Sequence, residues 1–155
     1  MNRTAKRRTE RLLASMASMD LNLSRCFVQV HDPDLALAFY HDVLGLDLLN
    51  DVANEGSRWI TVGSASQPGV AIVLTNYVCG TPADSETIAA LLAKGAMHGV
   101  HFTTDDLYGT FEKIRASGAD VVQEPVEQPW GLKDCAVRDP SGNMVRIDEV
   151  PSASA

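Results

Sequence analysis

Residues 24–46 read SRCFVQVHDPDLALAFYHDVLGL, and this stretch decides the fold. Cys26, Val28 and Val30 alternate with Arg25, Phe27 and Gln29, the period-two pattern of a strand that turns one face to a core. His31-Asp32-Pro33 closes that strand, since Asp32 suits a helix N-cap and Pro33 a first helical position. Leu35, Ala38, Phe39 and Val43 then recur at helical spacing until Gly45, which predicts a helix of about twelve residues.

Outward from this unit, strand-like runs follow at residues 46–52, 57–63 and 70–77, with Glu55-Gly56 and Gln67-Pro68-Gly69 as turns. Residues 78–97 read as a connector with a short helix, Ala83-Asp84-Ser85 preceding Ile88, Leu91 and Leu92, stopped by Gly95. The order then begins again. Residues 99–104 are strand-like, Asp105 or Asp106 caps a helix carrying Leu107, Phe111 and Ile114, and Gly118 ends it. Strands are expected at 119–123, 132–137 and 143–150, the last preceded by a tight Asp139-Pro140-Ser141-Gly142-Asn143 turn. The chain is therefore read as an α+β fold of two tandem βαβββ modules, residues 23–77 and 98–150, in one domain spanning 23–150. A basic leader (1–22) and a tail (151–155) flank it.

The 155 residues are 45% hydrophobic, and a chain of this size buries roughly 70% of its unfolded surface without needing disulfides. The net charge of −7 hides a split. Residues 1–11 carry five basic side chains against Glu10, a balance of +4; the remaining eight basic and nineteen acidic groups give −11. So acidic a body repels phosphate backbones, and nucleic acid is not expected as a partner. No apolar run of membrane-spanning length or secretory type is present, so a cytoplasmic protein is expected. Cys26, Cys79 and Cys135 lack metal-type spacing and are expected as free thiols, with Cys26 a small core residue.

The strings Val30-His31-Asp32-Pro33-Asp34, Phe39-Tyr40-His41-Asp42-Val43-Leu44-Gly45-Leu46 and Arg138-Asp139-Pro140-Ser141-Gly142-Asn143, in this order, resemble the vicinal oxygen chelate superfamily of glyoxalases, bleomycin resistance proteins and extradiol dioxygenases. The resemblance implies two four-stranded sheets curled into an incomplete barrel around a ligand cavity, and a homodimer. Metal-using members take one ligand, typically His or Glu, from the first and fourth strand of each module. Carried onto this chain, those positions fall on Arg25, Val73, Gly99 and Arg146. A permanent cation, an inert side chain and a missing one are not divalent-metal ligands, so no metal and no cofactor are expected.

If the strand faces are so disposed, the cavity is lined by Arg25, Phe27, Gln29, Trp59, Thr61 and Val73 from the first module. The second would add His101, Thr103, Met144, Arg146 and Asp148. Two guanidiniums converging on one cavity call for an anion between them, either from a ligand or from Asp148. His101 and Asp148 are the candidate proton-transfer groups. Two functions follow as expectations: a metal-free protein that binds a small organic molecule in the manner of bleomycin resistance proteins, or an enzyme of the same fold, a lyase, isomerase or dioxygenase-like protein acting on a small oxygenated substrate. Metal-dependent glyoxalase I or dioxygenase chemistry is not expected.

Overall fold

In the computed structural model, which describes residues 20–150, each half of the chain builds one four-stranded mixed sheet. The leader read over residues 1–22 lies outside the described residues except for its last three positions, and the tail 151–155 lies wholly outside. In the first module β1 (Arg25–Gln29) is followed by α1 (Pro33–Leu37), then β2 (Asp47–Asn54), β3 (Ser57–Gly63) and β4 (Ala71–Thr75). A linking helix α2 (Pro82–Ala93) leads to β5 (His98–Thr104), α3 (Leu107–Ala116), β6 (Asp120–Glu127), β7 (Lys133–Arg138) and β8 (Met144–Glu149). The sheet orders, β1-β4-β3-β2 and β5-β8-β7-β6, repeat one topology, with the first and last strand of each module parallel and adjacent. The expected tandem α+β architecture is present, and the sheets are not closed.

Local chemistry accounts for the elements. The Asp32 side chain accepts from the backbone of Asp34 at 2.9 Å and Leu35 at 3.1 Å, which starts α1. The helix then widens into a π-helical turn, Ala38–Val43, where Leu44 N–H donates to the Phe39 carbonyl at 3.0 Å. The 3.6-residue spacing did not foretell this. Its effect is that two consecutive bulky residues, Phe39 and Tyr40, are both buried, their rings edge to face at 5.2 Å. The linking helix starts earlier than Ala83-Asp84-Ser85 suggested, because Thr81 and Asp84 form a reciprocal capping box and Pro82 takes the first turn.

One core serves both modules. Val28, Val30, Ile60, Val62, Ile72 and Leu74 meet Cys135, Val137, Val145 and Ile147, with Phe39, Tyr40, Leu107, Phe111 and Ile114 from the helices. Each large aliphatic buried this way contributes about 1.5–3 kcal/mol. Cys26 departs from expectation: it is exposed, because the buried row on β1 begins only at Val28.

The joint between modules is polar and buried. Tyr40 Oη donates to Asp139 Oδ2 at 3.0 Å, and Asn143 Nδ2 donates both to that oxygen and to the Gln29 carbonyl, at 2.9 and 2.8 Å. Asp139 Oδ1 accepts from the backbone of Ser141 and Asn143, and Ser141 Oγ accepts from His31 N–H at 2.9 Å. Burial first, and the neighbouring Asp139 carboxylate second, push the Tyr40 phenol well above its ordinary pKa, so it stays a donor. Replacing Tyr40 by Phe should cost about 1–2 kcal/mol in urea denaturation. Asn143→Ala should cost more, because it frees both Asp139 and the Gln29 carbonyl; equal costs would contradict this ranking.

Candidate functional site

With the inner faces committed to the shared core, the outer face of the first sheet is free, and it carries a cavity of about 690 Å³. Strand register builds it. Phe27, Val73 and Thr61 stand in one row across β1, β4 and β3, and Gln29, Thr75 and Trp59 in the next. Arg25, Trp59, Thr61 and Val73 line the cavity, with Asn50, Asn54, Glu55, Ser57 and Tyr77 around them. Phe27 meets Trp59 edge to face at 5.3 Å and 85°, and Trp59 lies 6.3 Å from Tyr77. Glu55 holds a left-handed backbone, φ 47°, in the β2–β3 turn.

On the second module the corresponding face is a charge network. Asp134, buried on β7, accepts from Gln123 Nε2 at 2.9 Å, from Gln128 Nε2 at 2.6 Å and from the Arg146 guanidinium. Burial opposes its ionisation, but these three donors outweigh it and hold the carboxyl below its ordinary pKa. Arg146 is thus paired with Asp134 rather than Asp148. His101 Nδ1 lies 4.0 Å from Asp148 Oδ2, its side chain 65% exposed. Beside them, burial and the Asp134 and Asp148 carboxylates push the Cys135 thiol up to about 11, so it stays protonated at neutral pH.

The expected residues divide between surfaces. Arg25, Trp59, Thr61 and Val73 share the first cavity, with Phe27 stacked against Trp59. His101 and Thr103 line a second cavity of about 440 Å³ where β5 meets Leu44–Leu46 and Ser64–Gln67 of the first module. Gln29 lines a third beside α2. Met144 opens β8, next in register to His98. None of these cavities takes both Arg25 and Arg146, and the anion that meets Arg146 is the Asp134 carboxylate. The polar residues of β2, together with Tyr77 and Asp134, were not anticipated; the alternation Asn50, Val52, Asn54 and the lone acid in Leu132-Lys133-Asp134-Cys135-Ala136-Val137 were the available signals.

A divalent metal fits these positions poorly. Arg25 and Val73 offer no suitable donor, and Arg146 is tied to Asp134. At Gly99 a Cβ would lie 2.5 Å from the Met144 carbonyl oxygen, so no ligand side chain enters there without backbone movement. A bulge at Gly99 makes His98 the register partner of Met144 while Val100 and Phe102 stay packed on the core. His98 and His101 are therefore both exposed. Even so, among the described residues no three His, Cys, Asp or Glu side chains gather as a metal site.

A family model described as Glyoxalase/Bleomycin resistance protein/Dioxygenase superfamily matches residues 22–147. A probable lactoylglutathione lyase of Vibrio parahaemolyticus is 31% identical over 133 residues, covering 83% of this chain and 90% of that protein. The crystal structure of UcmS2 superposes with a TM-score of 0.75 at 33% identity, over 84% of this chain and 98% of that one. TnmS3, titled an antibiotic binding protein from Streptomyces sp. CB03234, superposes with a TM-score of 0.68 over 85% and 98%; at 24% identity this is a likeness of fold.

The Asp134 network sets a pH dependence. Because its folded carboxyl is depressed, its stabilisation is complete above the unfolded value of about 3.9 and is lost as pH falls through the lower folded value. The stability gap between the native protein and Asp134→Asn should therefore narrow below about pH 4. A gap constant through that range, measured by denaturant titration, would contradict the assignment.

Proposed function

Because the chain belongs to the Glyoxalase/Bleomycin resistance protein/Dioxygenase superfamily, we propose that it uses the fold as a binding protein, holding a small organic molecule on its first-module face without a metal ion. The observation that carries this is the cavity itself: about 690 Å³, within the usual range for small-molecule sites, and lined by Arg25 and Val73 where metal-using members of the superfamily carry ligands. The activity in the Vibrio relative's name is not extended to this chain, because the donors at the four positions do not fit a divalent cation. The body's acidity favours neither nucleic acid nor an anionic membrane, and among the described residues no helix is long and apolar enough to cross a bilayer. A cytoplasmic homodimer completes the proposal.

The first test is equilibrium dialysis of the purified protein against mixed small organic metabolites, with mass spectrometry of the retained fraction. A molecule retained at one per cavity and released unchanged, with no need for added nickel, zinc or iron, is the expected result. Retention only after metal is added, or release of a chemically altered product, would overturn the proposal. In sedimentation the chain should run as a dimer; a monomer at all accessible concentrations would contradict that part.

One observation favours a second reading, an enzyme that transfers protons without a metal. Asp148 Oδ2 stands 4.0 Å from His101 Nδ1, so the two candidate proton-transfer groups are neighbours on adjacent strands. On this reading His101→Ala should abolish turnover of an oxygenated substrate without unfolding the protein, since the side chain is mostly exposed. Unchanged turnover would remove His101 from the chemistry.

A further inference from the structure

The modules meet at two seams that the repeat makes equivalent. At one, the β7–β8 turn reaches the free edge of β1; at the other, the β3–β4 turn faces the free edge of β5. Gln29 and Thr103 correspond, since each stands three residues before the aspartate that caps its helix. Their register partners are Thr75 and Asp148. Equal steps back from those partners match Asn143 to Val70, Ser141 to Pro68 and Asp139 to Ser66.

The two seams are finished differently. At the first, Asn143 Nδ2 donates to the Gln29 carbonyl and Ser141 Oγ accepts from the His31 N–H. Val70 and Pro68 bring neither group to the second, and among the described residues no hydrogen bond reaches the corresponding Thr103 carbonyl or Asp105 N–H. Val150 N–H donates to the Thr104 carbonyl at 2.8 Å, which turns the Thr104 backbone toward β8 and that of Thr103 toward the open edge. The cavity of about 440 Å³ lies along this edge.

Its lining is neutral and rich in hydroxyls. Ser64, Ser66, Thr103, Thr104 and Thr110 each bring one, and Gln67 adds a carboxamide. Ser64 bonds Ser66 at 2.7 Å and Thr104 bonds Thr110 at 3.1 Å, which leaves one O–H of each pair free to donate outward. No Asp, Glu, Lys or Arg is among the described residues that line it, so a charged ligand would lose water without meeting a counter-charge. A wholly apolar ligand would strip water from the hydroxyls and replace none of those bonds. The lining suits a neutral molecule that donates and accepts at many points and sets C–H surface against Phe102 and Ile147.

We propose that this seam is a binding site for a neutral pyranose sugar. Its hydroxyls donate to the Thr103 carbonyl, as Asn143 does to Gln29 at the twin seam, and exchange hydrogen bonds with Ser64, Ser66 and Gln67. The site is separate from the first-module face and does not depend on what that face holds.

The test titrates the full isotope-labelled chain, followed by amide chemical shifts, with methyl β-glucoside, its anionic counterpart methyl β-glucuronide, and cyclohexanol. The glucoside should move the amides of residues 64–67 and 101–105 saturably and bind at least about ten-fold more tightly than the other two. Ser66→Trp, at an exposed turn position, fills the cavity and should weaken the glucoside at least about ten-fold, the remaining shifts confirming an intact fold. Thr110→Val keeps the shape, removes one hydroxyl and should weaken it several-fold. No saturable shift with the glucoside overturns the proposal, as does binding that Ser66→Trp leaves unchanged. Equal affinity for the glucuronide or for cyclohexanol overturns the neutral-sugar class. Shifts centred on the Trp59 indole N–H overturn the seam site while leaving the small-molecule function of the first-module face standing.

Discussion

A buried carboxylate that has no cation partner among the described residues docks the two modules of this molecule. Asp139 receives Tyr40 Oη, Asn143 Nδ2 and two backbone N–H groups, which fills the acceptor capacity of both its oxygens. An ionised group so placed costs much less than an unpaired one, because every lost water contact is replaced by a donor fixed in direction. Three of those donors come from the β7–β8 turn itself, and Tyr40 comes from the other module. Asn143 and Ser141 extend the contact to the last carbonyl of β1 and the N–H of His31. The turn is therefore shaped and docked by the same few atoms.

From that docking the functional surface follows. Both sheets give one face to a common core, so their other faces look outward and are chemically unlike. The first presents aromatics and the Arg25 guanidinium over a floor of Thr61 and Val73. The second presents an arginine already satisfied by a buried aspartate that two glutamines also hold. The two arginines, one on the first strand of the first module and one on the last strand of the second, thus differ: among the described residues Arg25 has no ion-pair partner, and Arg146 is spent on Asp134.

Much of this was legible in the residues. Alternation placed the strands to within a few positions, and Asp32-Pro33 and Gly45 bounded the first helix, because capping and left-handed termini are local events. The π-helical turn was not legible, since adjacent Phe39 and Tyr40 fit no single helical stripe. Cys26 was misplaced because alternation gives a face and not how far along it burial extends. The site was half legible. Facing residues within a strand could be read, so Arg25, Trp59, Thr61 and Val73 were found together. Which faces meet depends on how two modules dock, and that is set by Asp139 contacts nearly a hundred residues apart in sequence. The bulge at Gly99, which lets His98 turn outward without exposing Phe102, likewise depends on pairing with β8.

The proposed metal-free working of this superfamily member rests on strand positions that offer cations, an aliphatic side chain and a glycine in place of ligands. Its most direct test is metal stoichiometry by elemental mass spectrometry, on protein produced in medium supplemented with nickel, zinc and iron and purified without chelators. The account predicts no stoichiometric transition metal and an unfolding temperature unmoved by adding any of the three. One tightly held equivalent per chain, stabilising the fold when restored, would contradict it.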